Sequence, residues 1–143
     1  MKSMSDKVTL DSNILIYAFA DHDDFRKSIA KEIISKCNII SLQAVNETAC
    51  VLLRKFNFPK EQLEQVIQFL KEQFIISSLT VNTLDQTITL SKKYNFSFWD
   101  GMMIAAALEN HCSIIYTEDL NHNQLIEDRL RIINPFIQKN IKI

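Results

Sequence analysis

Short runs of β-branched and apolar residues alternate along this chain with longer segments of helical periodicity, and that alternation restricts the fold more than any other feature. Val8-Thr9-Leu10, Asn38-Ile39-Ile40, Phe74 to Ser77 and Ser113-Ile114-Ile115-Tyr116 read as short buried strands. The segments between them read as helices. Asp11-Ser12-Asn13, a cluster of capping residues, precedes the apolar stretch Ile14 to Phe19. Phe25, Ile29 and Ile33 share one stripe of a helix between Asp24 and Lys36; Leu42, Val45, Ala49, Leu52, Leu53 and Phe56 repeat at helical spacing after a cap at Ser41. Pro59 suits a first helical turn ahead of Leu63, Val66, Ile67, Leu70 and Phe74. Leu84, Ile88 and Ser91 mark a further helix whose basic end, Lys92-Lys93, suits the helix dipole, and the alanine-rich Met102 to Asn110 marks the last. Arg131-Ile132-Ile133 reads as an edge strand. Strands in alternation with helices predict a three-layer α/β fold, with a mainly parallel central sheet of about four to five strands flanked by helices. With no linker, repeat or low-complexity segment, residues 1–143 are expected to form a single domain.

Composition removes whole classes of function. The one glycine, Gly101, leaves no room for a G-x-G-x-x-G dinucleotide turn or a G-x-x-x-x-G-K-[ST] phosphate loop. The 16 basic and 17 acidic residues, with a pI near 6.3, create no global positive field, so a polyanionic partner has to be held by a local patch. Cys37, Cys50 and Cys112 are widely spaced among apolar neighbours and read as reduced core thiols, which points to the cytoplasm. Residues 1–7 lack an apolar targeting core, and the longest uncharged apolar runs fall far short of the ~18 residues of a membrane span. Neither export nor membrane insertion is expected.

Ligands of open α/β sheets bind beyond the carboxyl ends of the strands, which gives weight to acids in the loops leaving those ends. Asp11 directly follows the first strand, and Asp119 follows the strand ending at Tyr116 after a short turn. Asp100 stands at the start of a helix, and Glu47 lies about a turn and a half into the helix after the second strand. Taken singly, each has a plain structural explanation: a helix cap for Asp11, a solvated helical position for Glu47, a dipole partner for Asp100 and a turn former for Asp119. Taken together at one sheet edge, they repel one another unless a cation neutralises them. Such a group suits a hard divalent ion, Mg²⁺ or Mn²⁺.

In this order the residues resemble the PIN-domain ribonucleases, in particular the small VapC-type toxins of type II toxin-antitoxin pairs. The resemblance covers nearly the whole chain. It rests on Val8-Thr9-Leu10-Asp11-Ser12-Asn13, on Asn46-Glu47 with Leu53-Arg54-Lys55, on Phe98-Trp99-Asp100 followed by Ile104-Ala105-Ala106-Ala107, on Tyr116-Thr117-Glu118-Asp119-Leu120-Asn121-His122, and on the ending Asn134-Pro135-Phe136. It implies a PIN-like fold and an Mg²⁺- or Mn²⁺-dependent endoribonuclease that hydrolyses RNA to leave a 5′-phosphate and a 3′-hydroxyl. It also implies that Asp11, Glu47, Asp100 and Asp119 form the catalytic metal site, directly or through water, with Ser12, Asn13 and Thr117 as supporting polar groups. A small cognate antitoxin is expected to wrap the helices near the site and block it. Two positions depart from the pattern. Ser12 stands where threonine is commoner and keeps the hydroxyl; Asn123 stands where such loops often carry glycine and tolerates a left-handed backbone.

Other candidates carry less. His22, His111 and His122 fit no metal motif, and His122 comes nearest to a general base only because it shares the Asp119 loop. Arg54-Lys55 and Lys92-Lys93 read as solvated helix faces before RNA-steering patches. Trp99, beside Phe96 and Phe98, reads as packing before base stacking. The Phe25/Ile29/Ile33 and Leu63/Phe74 stripes read as core first and as a homodimer or antitoxin face second. Two rival functions stay open. One is a catalytically silent PIN-like module kept for protein binding, which the intact acids argue against. The other is a phosphatase with Asp11 as nucleophile, and there Asn13 stands where a second aspartate is expected.

Overall fold

A computed structural model describes residues 7–21 and 24–137. The chain runs β1 (Lys7–Leu10), α1 (Ser12–Phe19), α2 (Phe25–Lys36), β2 (Ile39–Ser41), α3 (Leu42–Arg54), α4 (Lys60–Gln73), β3 (Ile75–Ser77), α5 (Val81–Tyr94), α6 (Phe98–Glu109), β4 (Cys112–Tyr116), β5 (Leu125–Ile126) and β6 (Leu130–Ile133). The central sheet has the order β1-β4-β6-β5, parallel except for β5. Strand periodicity sends alternate side chains to opposite faces. Ile114 and Tyr116 pack with Val8, Leu10 and the apolar residues of α1 to α4, while Ile115 packs with Ile132, Ile104 and the alanines of α6. The result is the three-layer α/β arrangement that the alternation of elements predicts.

β2 and β3 do not extend the central sheet; they pair with each other, in parallel. Asn38 makes the link. Its backbone N–H donates to the Val8 carbonyl (3.1 Å), its side-chain Oδ1 accepts from the Val8 N–H (2.8 Å), and its own carbonyl accepts from Ile75 (3.0 Å). A side chain here takes the place of a ladder partner, so β1 and β2 touch without forming a continuous sheet.

Four local readings change. The 131–133 strand is not at the edge, because β5 pairs with its outer side through a tight turn whose Glu127 and Asp128 adopt left-handed φ of 54° and 56°. On α3, Leu42 is exposed and Gln43 is buried in its place, and the Cys50 thiol is exposed where a core thiol was expected. The last helix starts at Phe98, four residues earlier than its alanines suggest, which puts Asp100 in its first turn. On α5 the buried stripe is Thr83, Thr87 and Leu90, while Leu84 and Ile88 face outward. The cause is a close helix approach: a Cβ built on Gly101 of α6 would lie 2.2 Å from Ser91 Oγ and 3.2 Å from the Thr87 carbonyl. Only small side chains fit that contact, and the Thr87 hydroxyl is satisfied by the Thr83 carbonyl at 2.7 Å, leaving its methyl group toward α6.

Candidate active site

Asp11 ends β1 and caps α1 at once. Its backbone N–H continues the parallel ladder by donating to Tyr116 (2.9 Å). One carboxylate oxygen accepts from the Ser12 N–H at 2.7 Å and the other from the Thr117 hydroxyl at 3.0 Å. A dedicated cap reaches the second or third helical N–H. Asp11 reaches only the first, and its carboxyl group leans across to β4. The capping role is therefore present and does not compete with a role in a site.

The neighbouring acids are held in the same manner, by neutral donors. The Ser12 hydroxyl lies 3.1 Å from Glu47 Oε1, and Gln43 Nε2 donates to Glu47 Oε2 at 3.4 Å from one helical turn earlier. Asn13 Nδ2 donates to Asp119 Oδ2 at 3.0 Å, and the Thr117 hydroxyl accepts the Asp119 N–H at 3.2 Å. Ser97 caps α6 through the Asp100 N–H at 3.1 Å. Asp11, Glu47, Asp100 and Asp119 all line one cavity of about 680 Å³.

The electrostatics carry the mark of crowding. Asp11 is 7% exposed, and burial pushes its carboxyl from 3.8 up to about 7; the Ser12 and Thr117 hydrogen bonds pull it down, while the charges of Asp119 and Glu47 push it further up. The Asp119 carboxyl is also raised, first by burial and then by Asp100 and Glu118, against hydrogen bonds from Asp11 and Asn13. Near neutrality the Asp11 carboxyl is thus only partly ionised.

A divalent cation fits these residues. The donor set is all oxygen, no salt bridge among the described residues reaches the buried Asp11 or the other three acids, and the buried Asn13 Oδ1 has no hydrogen-bond partner among the described residues. Among the described residues no three Asp, Glu, His or Cys side chains stand close enough to hold an ion unaided. An ion here completes its shell from water and substrate oxygens, as Mg²⁺ commonly does.

Several neighbours escaped the sequence reading. Glu118 receives the Tyr17 hydroxyl proton and an Arg26 guanidinium N–H (3.3 Å); Arg26 also pairs with Asp24 at 2.9 Å and stands 4.5 Å over the Tyr17 ring. This cluster pins the loop that carries Asp119 to α1 and α2, and burial together with Glu118 pushes the Tyr17 hydroxyl up to about 12. Gln43 had a signal, its four-residue spacing from Glu47 on one helix face. Arg26 had none. Two histidines do not line the cavity: His122 Nδ1 accepts the Asn134 N–H (3.0 Å) and His111 occupies a left-handed turn at φ 59°; His22 lies outside the described residues. Asn123 adopts φ 71°, the conformation that its place in the loop requires.

A mainly parallel α/β sheet with acids beyond the ends of two adjacent strands and one more on each of α3 and α6 defines a domain with an acidic cleft at its strand ends. The PIN domain family matches residues 8–127, and the chain belongs to it. The fold is similar to that of a toxin-antitoxin complex from Klebsiella pneumoniae (20% identity, 91% of this chain and 98% of that one, TM-score 0.68). It is also similar to Mycobacterium tuberculosis VapC20, described as a sarcin-ricin loop cleaving toxin (15%, 79% and 92%, TM-score 0.64), and to FitAcB from Neisseria gonorrhoeae (15%, 91% and 99%, TM-score 0.62). Comparison with curated proteins gives no match.

Proposed function

We propose that the protein is a divalent-metal-dependent endoribonuclease acting as the toxin of a toxin-antitoxin pair. The observation that carries this reading is the convergence of Asp11, Glu47, Asp100 and Asp119 on one cavity, with Asp11 pushed up to about 7 by burial and by its neighbours' charge. Membership of the PIN family and likeness to toxins, one of them named for cleaving an RNA loop, support it.

In this reading the four acids hold Mg²⁺ or Mn²⁺, directly or through water. When bound, such an ion supplies positive charge against the scissile phosphate and acidifies a water for in-line attack. The chain's own residues prepare the site. Thr117 and the Ser12 N–H fix the Asp11 carboxyl, Asn13 fixes Asp119, and Gln43 and Ser12 fix Glu47, so little reorganisation remains when substrate arrives. Asp11 holds the proton that has to leave before its full charge becomes available. A phosphatase with Asp11 as nucleophile is less well served, because Asn13 stands where a second aspartate is expected and instead donates to Asp119.

The partners that belong with this reading are RNA, a cognate antitoxin and, through exposed apolar residues such as Phe25, a second copy of the chain. A single domain working in the cytoplasm agrees with it; among the described residues no helix is long and apolar enough to cross a membrane. The test is cleavage of labelled single-stranded RNA by metal-stripped protein as Mg²⁺ or Mn²⁺ is restored, with Asp100→Asn as control. Cleavage should appear only with the ion. Cleavage in EDTA that the control lacks overturns the metal dependence, and no cleavage of any RNA overturns the nuclease.

A further inference from the structure

The cavity that gathers the four acids is also lined by apolar side chains. Val51 of α3, Leu79, and Trp99, Met102 and Met103 of α6 line it. Trp99 is 60% exposed, and the ring contact it makes is with the edge of Phe98, itself exposed, at 5.3 Å between centroids and 80° between planes. An indole used for packing is covered; this one stands open at the mouth of the cavity. Its backbone is nevertheless fixed. The Trp99 carbonyl accepts from Gln43 Nε2 at 3.3 Å, the same amide that reaches Glu47. Gln43 is 7% exposed, it also lines the cavity, and its Oε1 has no hydrogen-bond partner among the described residues.

We propose that this apolar lining forms a nucleobase subsite, which takes one unstacked base of a single-stranded RNA beside the phosphate at the acids, with the Trp99 indole as its stacking face. The proposal rests on the nuclease reading and names the part of the substrate that is gripped. An uncharged wall gains nothing from a phosphate, and the adjoining acids repel any phosphate whose charge is not compensated. The flat face of a base gains from the indole and from the methionine and leucine surface around it. Gln43 Oε1 adds an acceptor suited to a base N–H. A duplex keeps its bases stacked inside, so a subsite of this kind selects unpaired strands. Trp99 and Asp100 are adjacent at the start of α6, so a base on the indole lies next to the acids.

Trp99 is the only tryptophan in the chain, so its emission reports on the subsite directly. Inactive Asp11→Asn protein is titrated with a short single-stranded RNA and with an abasic strand of equal length. Cleavage of the same RNA by wild type, Trp99→Leu and Trp99→Phe gives KM and kcat, with melting curves to verify folding. The base-bearing strand should quench the emission and the abasic strand should not. Trp99→Leu should raise KM about tenfold or more with kcat within about twofold, and Trp99→Phe should recover most of the loss. Normal cleavage with unchanged KM in Trp99→Leu, or equal quenching by both strands, overturns the subsite while the nuclease stands; the indole then serves another occupant, such as a protein partner. If wild type cleaves no RNA in Mg²⁺ or Mn²⁺, the nuclease reading fails first and the subsite falls with it.

Discussion

The Thr117 hydroxyl donates to Asp11 Oδ2 across 3.0 Å, joining residues 106 positions apart, and accepts the Asp119 N–H at 3.2 Å. One fully buried side chain therefore orients two acids from adjacent parallel strands. Thr117→Val keeps the shape and removes the hydroxyl, leaving two buried polar groups without a partner. It should cost about 1–3 kcal/mol by chemical denaturation and reduce cleavage sharply, and Thr117→Ser should restore both.

The Asp11 shift fixes the sign of a pH effect. Folding raises this carboxyl from 3.8 to about 7, so the folded chain binds the proton more tightly than the unfolded one. Its contribution to stability is full below about pH 4, falls by up to ~1.4 kcal/mol per pH unit as pH rises toward 7, and is gone above that. Asp11→Asn should abolish cleavage while melting higher than wild type at pH 8, and the difference between the two should vanish near pH 4. A lower melting temperature at pH 8 would mean that the carboxylate is structural.

Ion binding has to expel the proton that Asp11 carries below about pH 7. Mn²⁺ affinity, measured by calorimetry, should rise by up to about tenfold per pH unit below 7 and level off above, with a heat that depends on the buffer's ionisation enthalpy. Ca²⁺ should bind without turnover, and Zn²⁺ alone should not restore activity to an all-oxygen site.

Arg26 reaches no cavity-lining acid, yet it anchors Glu118 beside Asp119. Arg26→Gln should speed amide exchange in the 117–120 loop and raise the Mn²⁺ concentration needed for half-maximal cleavage, with kcat at saturating ion close to wild type.

The Ser91 hydroxyl is buried without a hydrogen-bond partner among the described residues and occupies the space a Cβ at position 101 would need. Ser91→Ala should leave the fold intact and raise stability by up to about 1 kcal/mol. Gly101→Val should lower it by about 1–3 kcal/mol through overpacking against the Thr87 carbonyl.

These contacts show what a sequence can carry. Asp11, Asp100 and Asp119 were legible because a strand end or helix start is written within a few neighbouring residues. Arg26 was not, since its partner Glu118 is 92 positions away and nothing local encodes the pairing. The inward face of α5 was misread because amphipathic patterning assumes that the largest apolar side chains turn inward, whereas the approach at Gly101 admits only small ones. The β5 turn was missed for a related reason. The chain's one glycine serves a helix contact, so left-handed turns fall to Asn57, Asn95, His111, Asn123, Glu127 and Asp128, which advertise them weakly.

Asn38 joins two hydrogen-bond ladders that do not merge. Glu47 rides on the helix that follows the smaller ladder, and Asp11 and Asp119 follow strands of the larger one. The acids therefore straddle the boundary between two hydrogen-bonded segments that share an apolar core, and native-state exchange should resolve two opening free energies in the ion-stripped protein. Anything that bridges Glu47 to Asp11 ties the segments together. Occupancy of the cavity would then be readable at the Ile75 N–H, 25 positions from the nearest of the four acids, as the two openings fuse into one.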